Sequence, residues 1–168
     1  MAAATPHDQF RLGFLAAVDD AERGIVGGLL ITNHFGRPLE FQCTMPVKAN
    51  RTQQILFGPQ LRPYVLTELI GKTLLEKVGV KPHLVLTESM DLLALRDHIS
   101  VPVASLTEST DAQSLSLGQQ RLRFHESHSS DRADIARQSA QIPVSADLKE
   151  PFERIREALA ETMKSNAG

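Results

Sequence analysis

Apolar and polar positions change their period several times along this chain. Phe10 to Val18 is almost continuously apolar, the pattern of a buried strand. The polar run Asp19-Asp20-Ala21-Glu22-Arg23-Gly24 ends in glycine and signals a hairpin turn. Ile25 to Thr32 is the returning strand, and Gly27-Gly28 within it calls for a bulge or a close backbone approach. After a turn at Asn33-His34-Phe35-Gly36-Arg37, apolar Leu39, Phe41 and Cys43 alternate with Glu40, Gln42 and Thr44. That period of two predicts a half-exposed edge strand, limited by Pro46.

Val47 to Phe57 reads as a polar, mildly basic loop. Beyond Gly58 the spacing becomes helical. Pro59 suits a first turn, and Pro63 offers a later start. Leu66, Leu69, Ile70, Thr73, Leu74 and Val78 build one broad apolar face, with Gly79 and Pro82 as the stop. His83 to Leu86 is short, apolar and bounded, as a buried parallel strand should be. Met90 to His98 is predicted as a second helix with Ser89 as its cap, and Val101 to Leu106 as another strand. Thr87-Glu88-Ser89-Met90-Asp91 and Thr107-Glu108-Ser109-Thr110-Asp111 read alike, as repeated strand-to-helix connections.

A Ser-rich connection, 111–118, leads to a strand at Gln120 to His125 and a weak helix at Ser130 to Ser139. The last helix is the clearest. Asp147 and Glu150 fit a capping box, and Leu148, Phe152, Ile155, Leu159 and Met163 form one stripe. The whole order predicts an α/β fold with a single mixed sheet. Three antiparallel strands precede helix-strand-helix-strand, with helices packed on the sheet and a C-terminal amphipathic helix. Residues 1–9 are expected to be a flexible arm and 10–168 a single domain.

Composition narrows the classes. A formal net charge of -2 gives no support for a strongly nucleic-acid-binding surface, though it leaves room for a local patch. Cys43 is the only cysteine, which excludes an intrachain disulfide and CxxC-type zinc sites. The N-terminus has no basic segment followed by a long apolar one, and no run approaches the ~18 apolar residues of a membrane span. A soluble cytoplasmic protein is expected.

The candidate chemistry lies in acids. Asp19 or Asp20 ends the first strand, Glu68 sits in the central helix, Glu88 follows the fourth strand, and Asp131 or Asp134 falls in a late helix. Each has a plain alternative: turn residues at Asp19 and Asp20, a Glu68–Lys72 pair on a helix, and a helix-start charge at Glu88. Element order and acid placement resemble the ribonuclease H-like fold over roughly residues 10–106. That family places acids on the first strand, in the first helix, at the end of the fourth strand and often in a late helix.

The resemblance implies catalytic Asp19 or Asp20, Glu68, Glu88 and Asp134. Asp19, Glu68 and Glu88 would hold Mg²⁺ or Mn²⁺ for phosphodiester hydrolysis. Three departures stand against it. The first acid lies at its strand's end, the fourth-strand acid is Glu rather than Asp, and no strongly basic face is present.

His125-Glu126-Ser127-His128, with Asp131 and Asp134, is the one His-acid cluster and would suit zinc or manganese. A polar loop explains it equally well. No P-loop, GxSxG, GxGxxG after a strand or HExxH is present. The expected function is therefore a small α/β binding or assembly subunit without catalytic activity of its own. It would meet a protein partner or a second copy through helix 147–164. The alternative is a metal-dependent nuclease of ribonuclease H-like type, with nucleic acid as its partner. Any site is expected at the carboxyl ends of the parallel strands, beside Glu88 and Glu108.

Overall fold

Strands β1 (Leu12–Asp20) and β2 (Gly24–Thr32) pair antiparallel from Leu12 opposite Thr32 to Asp20 opposite Gly24. The computed structural model describes residues 9–166, so all but the last residue of the expected N-terminal arm lies outside the described residues. Asp19 and Asp20 are strand residues, not turn residues as the polar run suggested. The turn is closed by Gly24 at φ 101 and by Asp20 Oδ1, which accepts the N–H groups of Glu22 and Arg23 at 2.9 Å each.

β3 (Pro38–Cys43) flanks β2 as an edge strand. On the other side of β1 lie β4 (Leu84–Thr87) and β5 (Val103–Thr107), both parallel to it. The hairpin β6 (Leu115–Leu117) and β7 (Gln120–Phe124) completes a seven-stranded mixed sheet in the order β3-β2-β1-β4-β5-β7-β6. The expected α/β architecture is the observed one. The short β6 fell inside the predicted Ser-rich connection.

Two layers cover the sheet. On one face Phe14, Leu30, Leu84, Leu86 and Leu122 pack against Phe152, Ile155 and Leu159 of helix α5 (Glu150–Asn166). The stripe of the last helix thus packs on its own sheet, which removes the reason for expecting a partner there. Asp147 precedes this helix and accepts from the N–H of Lys149 and from Gln120 Nε2, both at 3.0 Å.

On the other face Leu15, Leu29, Ile31, Val85 and Val103 pack against Leu66, Ile70, Leu74 and Leu92. These come from a broken helical stretch and from the 3₁₀ helix Met90–Asp97, where an α-helix was expected. The stretch begins with α1 (Arg51–Phe57), in place of the predicted loop, and continues through α2 (Leu61–Tyr64), a π-helix (Val65–Lys72) and α3 (Thr73–Lys77). Gly79 does not end it by a left-handed turn. Instead the N–H groups of Gly79 and Val80 donate to the Glu40 carboxylate of β3, at 2.9 and 2.8 Å. α4 (Ser130–Gln138) follows β7.

Gly27 and Gly28 give β2 its close contact with both layers. A Cβ on Gly27 would lie 2.1 Å from Ile70 Cγ2, and one on Gly28 would lie 2.8 Å from Ile155 Cγ2. The predicted close approach is made by side chains on opposite faces. Among the described residues, no helix is long and apolar enough to cross a membrane.

Candidate functional site

β1 and β4 part company after Phe14 opposite Leu86, and β1 runs on towards Asp20 paired only with β2. The chain order reverses at this seam, with β2 and β3 to one side of β1 and β4 and β5 to the other. In open α/β sheets such a switch point leaves a crevice beyond the strand ends. Here it is a notch of about 230 Å³, floored by Ala16, Ala17, Thr87, Glu88 and Ser89, with Arg62 and Arg156 on its walls. Thr87 Oγ1 accepts the Ser89 N–H at 3.1 Å and fixes the turn out of β4.

The two arginines come from opposite layers. Arg62 of α2 holds Asp19 through two bonds, Nη1 to Oδ1 at 2.8 Å and Nη2 to Oδ2 at 3.1 Å. Arg156 of α5 donates from Nη1 to Glu88 Oε1 at 2.8 Å. All four side chains are about half exposed, at 44 to 62%. The Arg62 guanidinium holds the Asp19 carboxyl below its ordinary range, and Asp19 in turn raises Arg62.

The acids expected from the sequence go to separate places. Glu88 lines the notch, and Asp19 is tied to its Arg62 wall. Asp20 is engaged by the hairpin N–H groups, which lower its pKa. Glu68 is half-buried in the π-helix and does not line the notch. Asp131 is buried against Arg96, with Nε to Oδ2 at 2.7 Å, and Asp134 pairs with Arg137 on its own helix.

A pair of hard divalent cations needs several converging oxygen ligands. The β1 residues in the notch are Leu15, Ala16 and Ala17, and α2 contributes a cation, so these residues do not fit such a centre. Among the described residues, one group of three potential ligands has its atoms close together: Asp97, His125 and His128. The sequence pointed to the two histidines but missed Asp97, which is 28 residues before His125. Arg62 and Arg156 were also missed. Each is one charge among many on a polar face, and only the fold brings them to one opening.

A larger cavity of about 610 Å³ is lined by Val26, Cys43, Met45, Leu69 and Leu159 among others. Its threonine hydroxyls are engaged by backbone groups, as Thr44 by Gly27 and Thr162 by Ala158. It offers apolar surface and little polar chemistry.

No protein-family model matches the chain, and no curated protein matches it in sequence. Among solved structures, it is similar to Endonuclease V from Ciona intestinalis in complex with a 23mer DNA containing an inosine followed by a ribo-adenosine. The TM-score is 0.50 at 10% identity, covering 94% of this chain and 88% of that one. The catalytic domain of human Endonuclease V gives a TM-score of 0.46 at 12% identity, covering 93% and 85%. The first of these likenesses agrees in fold with the ribonuclease H-like resemblance.

Proposed function

We propose that this protein binds nucleic acid by its phosphodiester backbone in the notch between Arg62 and Arg156. The observation that carries this is the convergence of two guanidinium groups, from opposite layers, on one opening at the switch point. A guanidinium presents paired donors that match phosphate oxygens. Both arginines are now bound to carboxylates, but half-exposed ion pairs are worth only about 0–1 kcal/mol. A phosphate can therefore take the place of Asp19 or Glu88 at little cost. The Ser89 hydroxyl beside them is a further partner for a phosphate or sugar oxygen. A fold shared with an Endonuclease V crystallised on DNA supports a nucleic-acid ligand.

The second reading is a metal-dependent nuclease built on Glu88 and Asp19, with Mg²⁺ or Mn²⁺. The same shared fold favours it, as does Glu88 in the notch with Asp19 beside it. It requires both acids to leave their arginines.

One experiment separates the two. Anisotropy of labelled single-stranded DNA and RNA, titrated at several salt concentrations, should show weak binding. Two phosphate contacts give a slope of log K against log salt of roughly -1.4. Arg62→Ala with Arg156→Ala should abolish it while leaving the fold intact. Binding that survives the double substitution overturns the notch. Strand cleavage in Mg²⁺ or Mn²⁺ that is lost in Glu88→Gln establishes the nuclease reading instead.

A further inference from the structure

We propose that Asp97, His125 and His128 form a zinc-binding site at the sheet edge opposite the notch. Asp97 ends the 3₁₀ helix that leads into β5, and His125 follows β7. Phe124 pairs with Ala104 near the start of β5, so both segments meet at the amino-terminal edge of the parallel strands. The notch lies at the carboxyl end of β4, and the two sites are independent.

The ligand atoms of the three residues lie within 4.8 Å of one another, close to the spacing zinc needs. Bonds of about 2.0–2.1 Å in a tetrahedral site put neighbouring ligand atoms about 3.3 Å apart. His128 Nε2 lies 2.9 Å from Asp97 Oδ1, and His125 Nε2 lies 3.5 Å from Asp97 Oδ2. The imidazole rings meet edge to face, with centroids 5.3 Å apart. Two imidazole nitrogens are borderline donors, and with one carboxylate oxygen they suit zinc better than magnesium or calcium. Three protein ligands leave a fourth position for water, as in reactive zinc sites rather than closed structural ones.

The support is built in. Arg96, next to Asp97, clamps buried Asp131, three residues beyond His128, with bonds of 2.7 and 3.3 Å. Its third donor, Nη1, reaches the Ile99 carbonyl at 2.8 Å. This buried clamp fixes the two ligand-bearing segments against each other, which is the role of a supporting shell. Two bonds must change. The hydrogen bond between His128 Nε2 and Asp97 Oδ1, 2.9 Å long, gives way to the ion, and the ring proton passes to Nδ1. His125 Nδ1 accepts the Ser127 N–H at 3.1 Å, so the neutral ring carries its proton on Nε2. Zinc takes that position, and the ring proton moves to Nδ1. The Ser127 N–H is exposed and can turn to water.

Calorimetric titration with zinc chloride, and visible absorption with Co²⁺ as a stand-in, test this on the full chain. The expected result is one ion per chain with a four-coordinate cobalt spectrum. His125→Ala, His128→Ala and Asp97→Asn should each weaken binding by at least about 10-fold, the lower bound for losing even a supporting partner. Circular dichroism should be unchanged, and His34→Gln should bind like the parent. Absence of saturable binding overturns the site. So does binding that persists in the double histidine variant, because the ion would then be held elsewhere.

Discussion

Gly27 carries the tightest steric constraint found in the sheet. An added Cβ would sit 2.1 Å from Ile70 Cγ2, and Ile70 is fully buried in the π-helix. Gly27→Ala should therefore destabilise the protein by about 1–3 kcal/mol through overpacking. Ile70→Ala removes the offending methyl and alone should cost about 2–5 kcal/mol. The double variant should cost clearly less than the sum, because the new Cβ enters the space that was emptied. Urea denaturation of the four proteins measures this, and additive costs would mean that the two residues do not touch. The sequence announced a close approach at Gly27-Gly28 but not the partner, which is 43 positions away. Asp131 shows the same gap. As a letter it was one more candidate metal acid, yet its partner Arg96 makes it a buried structural clamp.

Among the elements, those with a repeated buried face were legible. α5 has Phe152, Ile155 and Leu159 on one side, all buried, and its stripe was read correctly. α1 has no buried residue, so periodicity could not reveal it. Only Asn50 and Gln53 marked it, through reciprocal side-chain-to-backbone bonds of 2.8 and 3.0 Å. The π-helix was invisible for another reason. Leu66, Ile70 and Leu74 fit an α-helix equally well, while the change of pitch follows from backbone chemistry. The Thr67 hydroxyl donates to the Pro63 carbonyl at 2.7 Å, in competition with the helical N–H. For α5 the stripe can now be tested as core rather than docking surface. Phe152→Ala should cost about 3–5 kcal/mol. Glu157→Ala, on the exposed side, should stay within about 0.5 kcal/mol. Light scattering before and after Phe152→Ala should show the same species; a loss of oligomer without loss of stability would return this helix to a partner.

On the scale of the whole molecule the perturbed carboxylates and His83 act in one direction. Asp19, Asp20, Glu40, Asp97 and Asp111 all have lowered pKa values, each held charged by hydrogen bonds before any other cause. For Glu40 the leading donors are the Gln42 amide and the Val80 N–H. Such a carboxylate contributes stability above its unfolded value of about 4 and loses it as pH falls through the folded value. His83 is also lowered, first by burial and then by the Arg11 charge, and its Nδ1 accepts the Arg11 N–H at 2.9 Å. As pH falls through about 6.5, the unfolded chain gains a proton that the folded imidazole resists. The unfolded state binds more protons in both ranges, so stability should decline in two steps on acidification. A shallow step near pH 6 belongs to His83 and a steeper one below about pH 4 to the carboxylates. Urea melts across pH 3–8 should show both. His83→Gln should flatten the first and keep the second, and Glu40→Gln should lower the neutral plateau while reducing the second. Stability that rises from pH 7 to pH 5 would contradict the sign for His83, because it requires a group whose folded form prefers the proton.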